Sequence, residues 1–137
     1  MKPDPVLLPE FIDPLRAVLA RHPQVNFAML FGSLARGTAR PDSDLDLAVG
    51  ADRPLHADEI IALISDLAMA TGRPVDLIDL AAAGEPLLGQ ILAHGVRVLG
   101  DSTRHGALLS RHLTDVADFV PLQQRIFDER RRRWIGR

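Results

Sequence analysis

Two short segments of the sequence carry residue types that could bind and transfer a phosphate group. The first is Gly32-Ser33, which follows an apolar run and precedes a predicted helical turn. A strand that ends in such a pair presents free backbone N–H groups and a hydroxyl at a helix start, an arrangement that binds anions. The second is Asp44-Leu45-Asp46. In a strand its two carboxylates share one face about 7 Å apart, because each residue adds a rise of ~3.3 Å.

Two neighbouring carboxylates repel each other unless a cation lies between them. Beside an anion site of phosphate size, the expected cation is Mg²⁺, which is usually bound by one or two carboxylates together with substrate phosphates. Each segment alone has an ordinary interpretation: a Gly-Ser pair is most often a turn, and alternating aspartates often form a solvated strand edge. Their combination at a fixed spacing favours a metal-dependent site for phosphate chemistry.

The elements that must position these residues follow from the spacing of apolar side chains. Residues 9–21 carry them at intervals of three and four, which predicts an amphipathic helix. A helical turn is predicted over residues 33–37. The same analysis predicts strands over residues 24–31, 44–49, 73–80 and 96–99, and helices over residues 56–70 and 84–94.

The order of these elements predicts an α/β or α+β fold. From about residue 101 the apolar pattern fits one long helix or two, and Pro121 is expected to kink or break it. We expect residues 1–137 to form a single domain, with a core over about residues 9–100 and a C-terminal helical segment over about residues 101–135.

Composition limits the chemistry further. Hydrophobic residues make up 47% of the chain and charged residues 25%, which is typical of a globular domain. The absence of cysteine excludes disulfide scaffolds, thiolate metal sites and a thiol nucleophile, so catalysis must use oxygen and nitrogen groups. The N-terminal sequence lacks the features of a signal peptide and no long apolar run occurs, so we expect a cytoplasmic protein that does not bind membranes.

The pattern Gly32-Ser33-x-x-Arg36-Gly37, followed by Ser43-Asp44-x-Asp46, resembles the signature of the DNA polymerase β-like nucleotidyltransferase superfamily. The short chain is similar to the minimal, MNT-type members of that superfamily, and the order of elements up to about residue 99 also fits their core. The resemblance implies a mixed β-sheet flanked by helices. It also implies NTP and Mg²⁺ as cosubstrates, and transfer of a nucleoside monophosphate to a hydroxyl with release of pyrophosphate.

The resemblance further implies a third carboxylate from a neighbouring strand. Asp76 and Asp79 are three residues apart in a predicted strand, so they face opposite sides and only one can join Asp44 and Asp46. Periodicity does not decide between them, because each shares its face with apolar residues. The resemblance favours Asp76, and a capping role would be ordinary for Asp79 near the strand end. Asp44 and Asp46 would bridge two Mg²⁺ ions, and Asp76 would bind one ion and help to deprotonate the attacking hydroxyl.

Four residues are implied to contact the nucleotide. Gly32 and Ser33 would hold the β- and γ-phosphates. Arg36 would either neutralise phosphate charge or form a salt bridge within the turn. Ser43 would either contact the nucleotide or cap its own loop by bonding the backbone.

Many short chains of this kind resemble the antitoxin of MNT–HEPN toxin–antitoxin pairs. This resemblance implies an antitoxin that transfers AMP from ATP to a tyrosine hydroxyl of a HEPN-type ribonuclease and forms a hetero-oligomer with it. Two alternatives remain open: a transferase for a small molecule such as an aminoglycoside-type antibiotic, and a non-catalytic module that neutralises a toxin by covering it. The second alternative leaves the repelling carboxylates without a purpose. We expect no direct binding of nucleic acid.

A cluster of arginines lies near the C-terminus. It is either a solvated helix end that complements the helix dipole or a surface that binds a protein partner. Its members are Arg125, Arg130, Arg131, Arg132, Arg133 and Arg137.

Overall fold

The computed structural model describes residues 7–117 of the chain, with side chains described from residue 10 onward. The predictions that concern Pro121, the C-terminal part of the helical segment and the arginine cluster lie outside this range. Within it, none of the helices has the length and apolar character needed to cross a membrane.

A four-stranded mixed sheet lies at the centre of the protein. Its strands are β1 (Val25–Phe31), β2 (Leu45–Ala51), β3 (Val75–Asp79) and β4 (Val96–Leu99), in the order β3-β2-β1-β4. β1 runs antiparallel to both β2 and β4, whereas β2 runs parallel to β3. The predicted mixed sheet is therefore confirmed.

Helices cover both faces of the sheet. On one face lie α1 (Leu7–Leu19), the short helix α2 (Gly32–Arg36) and α3 (Ala57–Thr71), which enclose the larger of two hydrophobic clusters. On the other face lies α4 (Leu87–His94), which packs on a smaller cluster. A further helix, α5, occupies residues 102–117 and contributes Leu108 to that smaller cluster. The predicted α/β class with flanking helices is confirmed.

Strand β2 separates the core from the candidate site by the alternation of its side chains. Leu45, Leu47 and Val49 are buried in the larger cluster beneath α1 and α3. Asp46 and Ala48 alternate with them, so they face the side of the sheet that carries α4. The apolar residues of β2 thereby fix which way the Asp46 carboxylate points, because a slip of one residue would bury that charge in the larger cluster.

Most predicted element boundaries are wrong by one to three residues, and two of them lie close to the candidate site. Asp44 does not begin the second strand: β2 starts at Leu45, because residues 40–43 form a turn closed by a hydrogen bond from Ser43 N–H to the carbonyl of Arg40 (3.0 Å). The helix predicted from Gly84 starts only at Leu87. Pro86 precedes it, and a proline disfavours helical backbone in the residue before it.

Candidate active site

Two of the candidate carboxylates lie on neighbouring strands, and a third lies in the loop before one of them. Asp46 in β2 pairs with Asp76 in β3 along the parallel ladder. Paired residues on adjacent strands lie about 5 Å apart and project to the same face. Asp44 lies two residues before Asp46, just outside β2. The structure thus brings Asp46 and Asp76 side by side at the edge of the sheet where β2 and β3 begin.

The electrostatics of Asp46 reflect the proximity of all three carboxylates. Burial raises the pKa of Asp46, and the negative charges of Asp76 and Asp44 raise it further, whereas the Arg36 guanidinium lowers it. These are the directions expected for a partly buried carboxyl group near like and unlike charges. A cation among the three carboxylates would relieve the repulsion that raises the pKa of Asp46.

Gly32 lies directly against Asp46. Phe31, the last residue of β1, pairs with Asp46 across the antiparallel ladder, so the next residue comes beside the carboxylate. Gly32 has a φ of +72°, a left-handed conformation that glycine adopts without a steric penalty. A Cβ atom at this position would overlap the Asp46 carboxylate and would lie 2.9 Å from its Cγ atom. The predicted phosphate-binding segment is therefore in contact with the predicted metal-binding segment.

Ser43 bonds the backbone of its own loop. Its Oγ accepts a hydrogen bond from the backbone N–H of Arg40 at 2.7 Å, which closes the turn just before Asp44. This is one of the two roles that the sequence left open. The Ser43 hydroxyl keeps its own hydrogen for donation to another oxygen, so contact with a nucleotide remains chemically possible.

Asp79 lies on the opposite face of β3 from Asp76 and has two backbone partners. Its carboxylate accepts hydrogen bonds from the N–H of Leu55 at 3.0 Å and from the N–H of Ala81 at 2.9 Å. It thereby joins the loop before α3 to the turn after β3. Of the two aspartates that could join Asp44 and Asp46, Asp76 lies beside Asp46, whereas Asp79 anchors two loops.

A cleft of about 370 Å³ opens beside Gly32 and Arg36. Its opposite wall comes from α4, through Leu87, Gln90 and His94. These three residues are spaced i, i+3 and i+7, so they share one helix face. They were not among the predicted site residues, because only the packing of α4 on the sheet brings that face to Gly32. Arg36 takes part in none of the ion pairs found among the described residues.

This arrangement of a Gly-Ser turn beside paired strand aspartates agrees with a family match. The family model described as polymerase beta, nucleotidyltransferase matches residues 14–104. The chain belongs to this family. The matched range includes all of the candidate carboxylates and both segments of the signature.

Two further similarities are more specific. Protein adenylyltransferase MntA of Shewanella oneidensis is 36% identical over 78 residues, which are 57% of this chain and 56% of MntA. The chain therefore matches little more than half the length of that relative. A chain from a crystal structure of a toxin–antitoxin with AMP-PNP is 27% identical and superposes with a TM-score of 0.76, covering 86% of this chain and 96% of the other.

A third similarity concerns the fold alone. A chain from the complex of a tri-AMPylated Shewanella oneidensis HEPN toxin with an MNT antitoxin is 24% identical and has a TM-score of 0.70. It covers 87% of this chain and 94% of the other. The nucleotidyltransferase family that the sequence resembles is confirmed by the family match, and this superposition agrees with its fold.

The carboxylates of this nucleotidyltransferase fit Mg²⁺ in their chemistry. Within residues 7–117, no three acidic or histidine side chains are arranged so that they could hold a metal ion by themselves. Mg²⁺ does not require such a closed set, because it is usually bound by one or two carboxylates together with substrate phosphates and water. Asp46, whose pKa is raised by burial and by two neighbouring carboxylates, is the kind of oxygen donor that such an ion stabilises.

Proposed function

We propose that this nucleotidyltransferase is an antitoxin that transfers AMP from ATP to a tyrosine hydroxyl of a HEPN-type ribonuclease toxin and so neutralises it. The observation that carries the proposal is the pairing of Asp46 with Asp76 beside Gly32. The similarities to protein adenylyltransferase MntA and to a toxin–antitoxin with AMP-PNP support the choice of donor and acceptor. Because the match spans only about half of MntA, activity and partner belong to the proposal.

ATP would lie in the cleft beside α2. The backbone N–H groups of Gly32 and Ser33 stand at the start of that helix, where they have no acceptor within the helix, and they would bind the β- and γ-phosphates. Arg36 lines the same cleft and lowers the pKa of Asp46, so its positive charge reaches the site and would also act on the phosphates. Ser43 would donate its hydroxyl hydrogen to the nucleotide.

The carboxylates would supply the metal-binding and proton-accepting groups. Asp44, Asp46 and Asp76 would hold two Mg²⁺ ions. When bound, Mg²⁺ neutralises phosphate charge and lowers the pKa of the acceptor hydroxyl. The hydroxyl oxygen attacks the α-phosphorus of ATP, and the bond from that phosphorus to the oxygen bridging to the β-phosphate breaks. Pyrophosphate leaves, and Asp76 helps to take up the hydroxyl proton.

The proposed assembly is a hetero-oligomer with the toxin, because the acceptor hydroxyl must reach the edge of the sheet where β2 and β3 begin. The proposal includes the single domain predicted from the sequence and a cytoplasmic setting. It includes no membrane and no nucleic acid as a binding partner.

Intact-mass spectrometry of a purified HEPN-type partner tests the proposal directly. We expect incubation with this protein, ATP and Mg²⁺ to raise the partner's mass by one or more AMP units and to lower its ribonuclease activity. The control is the double variant Asp44→Asn and Asp46→Asn, which should fold as stably as the parent or more so, because repulsion is relieved, and should transfer nothing. Inhibition of the ribonuclease by both proteins without any mass change would refute the proposal in favour of a non-catalytic covering module.

A further inference from the structure

Arg73 lies between α3 and β3 and reaches across to the turn that precedes Asp44. Its Nη1 donates hydrogen bonds to the carbonyl oxygens of Arg40 and Ser43, each at 2.9 Å. These carbonyls stand at the two ends of the turn over residues 40–43. A single guanidinium nitrogen therefore joins both ends of the turn from outside it.

This contact holds the backbone on one side of Asp44, and a neighbouring residue holds the other side. The Asp44 side chain is exposed, so core packing does not fix its direction. The carbonyl of Ser43, just before it, accepts the bond from Arg73, and the N–H of Leu45, just after it, donates to the carbonyl of Pro74 at 2.8 Å. The Arg73-Pro74 pair thus holds both peptide groups that flank Asp44.

Arg73 is itself held in place. The helix α3 ends at Thr71, and Gly72 turns the chain through a left-handed conformation with a φ of +66°. The Arg73 guanidinium then lies 5.6 Å from the centre of the Phe11 ring on α1. An arginine stacked on an aromatic ring keeps the N–H groups at its edge available for hydrogen bonds.

We propose that Arg73 is a positioning residue for Asp44. By bonding the carbonyls of Arg40 and Ser43, it fixes the backbone from which the Asp44 carboxylate would reach the metal shared with Asp46. The inference rests on the proposed function, because that function makes Asp44 a metal ligand. Residues that orient metal ligands typically change metal affinity 10- to 100-fold when they are replaced.

Mn²⁺ binding measured by electron paramagnetic resonance, with ATP present and no protein partner, tests this role. We expect Arg73→Met to weaken Mn²⁺ binding roughly tenfold, in line with the lower end of that range. Arg73→Lys should have a smaller effect, because it keeps the charge but loses the planar fork of donors. In transfer assays with the partner, Arg73→Met should need a correspondingly higher Mg²⁺ concentration for half-maximal rate.

Arg53→Met is the matched control. The Arg53 guanidinium also donates hydrogen bonds, to Glu59 at 2.7 and 2.9 Å and to the carbonyl of Pro54 at 3.2 Å. Arg53 follows the opposite end of β2 from Asp44. Its loss should change thermal stability without changing Mn²⁺ affinity.

If Arg73→Met binds Mn²⁺ as tightly as the parent protein, the inference is overturned. This holds even if the variant unfolds at a lower temperature, because a loss of stability alone indicates a structural role. If Arg73→Met does not fold, Arg73→Lys decides the question by the same criterion. A parent that binds Mn²⁺ with ATP but modifies no partner would refute the proposed acceptor, and the Mn²⁺ comparison would still decide the role of Arg73. A parent that binds no Mn²⁺ in the presence of ATP would overturn both proposals.

Discussion

A Gly32→Ala substitution would place a methyl group against the Asp46 carboxylate. The new Cβ atom would overlap the carboxylate and lie 2.9 Å from the Asp46 Cγ atom, so either the carboxylate or the β1–α2 junction must move. The φ of +72° adds a second cost, because a left-handed conformation costs a residue with a Cβ atom roughly 1–2 kcal/mol. Overpacking typically adds about 1–3 kcal/mol. The free energy of unfolding should therefore fall by about 2–5 kcal/mol.

Gly72→Ala is the matched control for this variant. Gly72 has a φ of +66°, but no heavy atom lies within 4 Å of the position that a Cβ atom would occupy. Both substitutions impose the same left-handed strain and the same loss of freedom in the unfolded chain, so these effects cancel in a comparison. The difference in unfolding free energy, about 1–3 kcal/mol in urea titrations, isolates the contact with Asp46.

Activity should separate the two variants more sharply than stability does. A displacement of a catalytic group by about 1 Å can lower a rate on the order of 100-fold. We therefore expect Gly32→Ala to lose AMP transfer and Mn²⁺ binding under conditions in which it is folded. Gly72→Ala should keep both, because its methyl group meets no atom whose displacement would move Arg73. Equal transfer rates in the two folded variants would refute the argument that Gly32 is required for close approach of the Asp46 carboxylate.

The remaining predictions concern other carboxylates. Asp76→Asn should abolish AMP transfer with little loss of stability. Asp79→Asn should keep transfer but lower the unfolding free energy by about 1–3 kcal/mol, because one backbone N–H loses its acceptor. The opposite result would exchange the roles assigned to the two aspartates. Hydrogen bonds from the Arg53 guanidinium and from the backbone N–H of His56 lower the pKa of Glu59 from its ordinary 4.5 to about 2. A carboxyl pKa that is lowered in the folded state stabilises the fold at pH values above the ordinary pKa. This stabilisation by Glu59 should therefore be lost as the pH falls from about 4.5 to about 2. In Glu59→Gln that part of the pH dependence of urea unfolding should be absent.

The elements that position the site could be predicted because their patterns are local. In β2, the alternation of Leu45 and Leu47 with Asp46 is enough to define a strand with one buried face. The turn over residues 40–43 that precedes β2 is closed by a local hydrogen bond, but a second contact, distant in sequence, also holds it and could not be predicted. Arg73 bonds the carbonyl of Ser43 from thirty residues away, and a helix period or strand alternation carries no trace of such a bond.

To choose between Asp76 and Asp79 from the sequence, one must know which face of β3 carries the candidate site. Helices cover both faces of this sheet, so apolar residues occur on each side of β3 and alternation loses its power to identify an active-site face. The register of β3 on β2 supplies the missing information, because it sets Asp76 against Asp46 and Asp79 against Val49. The sequence contains both aspartates, but only strand pairing makes Asp76 the neighbour of Asp46.

The two faces of β3 therefore carry aspartates in different surroundings. Asp79 satisfies the backbone N–H groups of Leu55 and Ala81, which fixes the ends of the segments entering α3 and leaving β3. Asp76 is exposed on the opposite face, where burial and the charges of Asp76 and Asp44 raise the pKa of Asp46 and the Arg36 guanidinium lowers it. A carboxylate with two backbone donors is already stabilised, whereas one that faces other carboxylates gains most from an added ion. This difference in unmet charge, and not residue type or distance along the chain, is the physical reason to assign metal binding to Asp76.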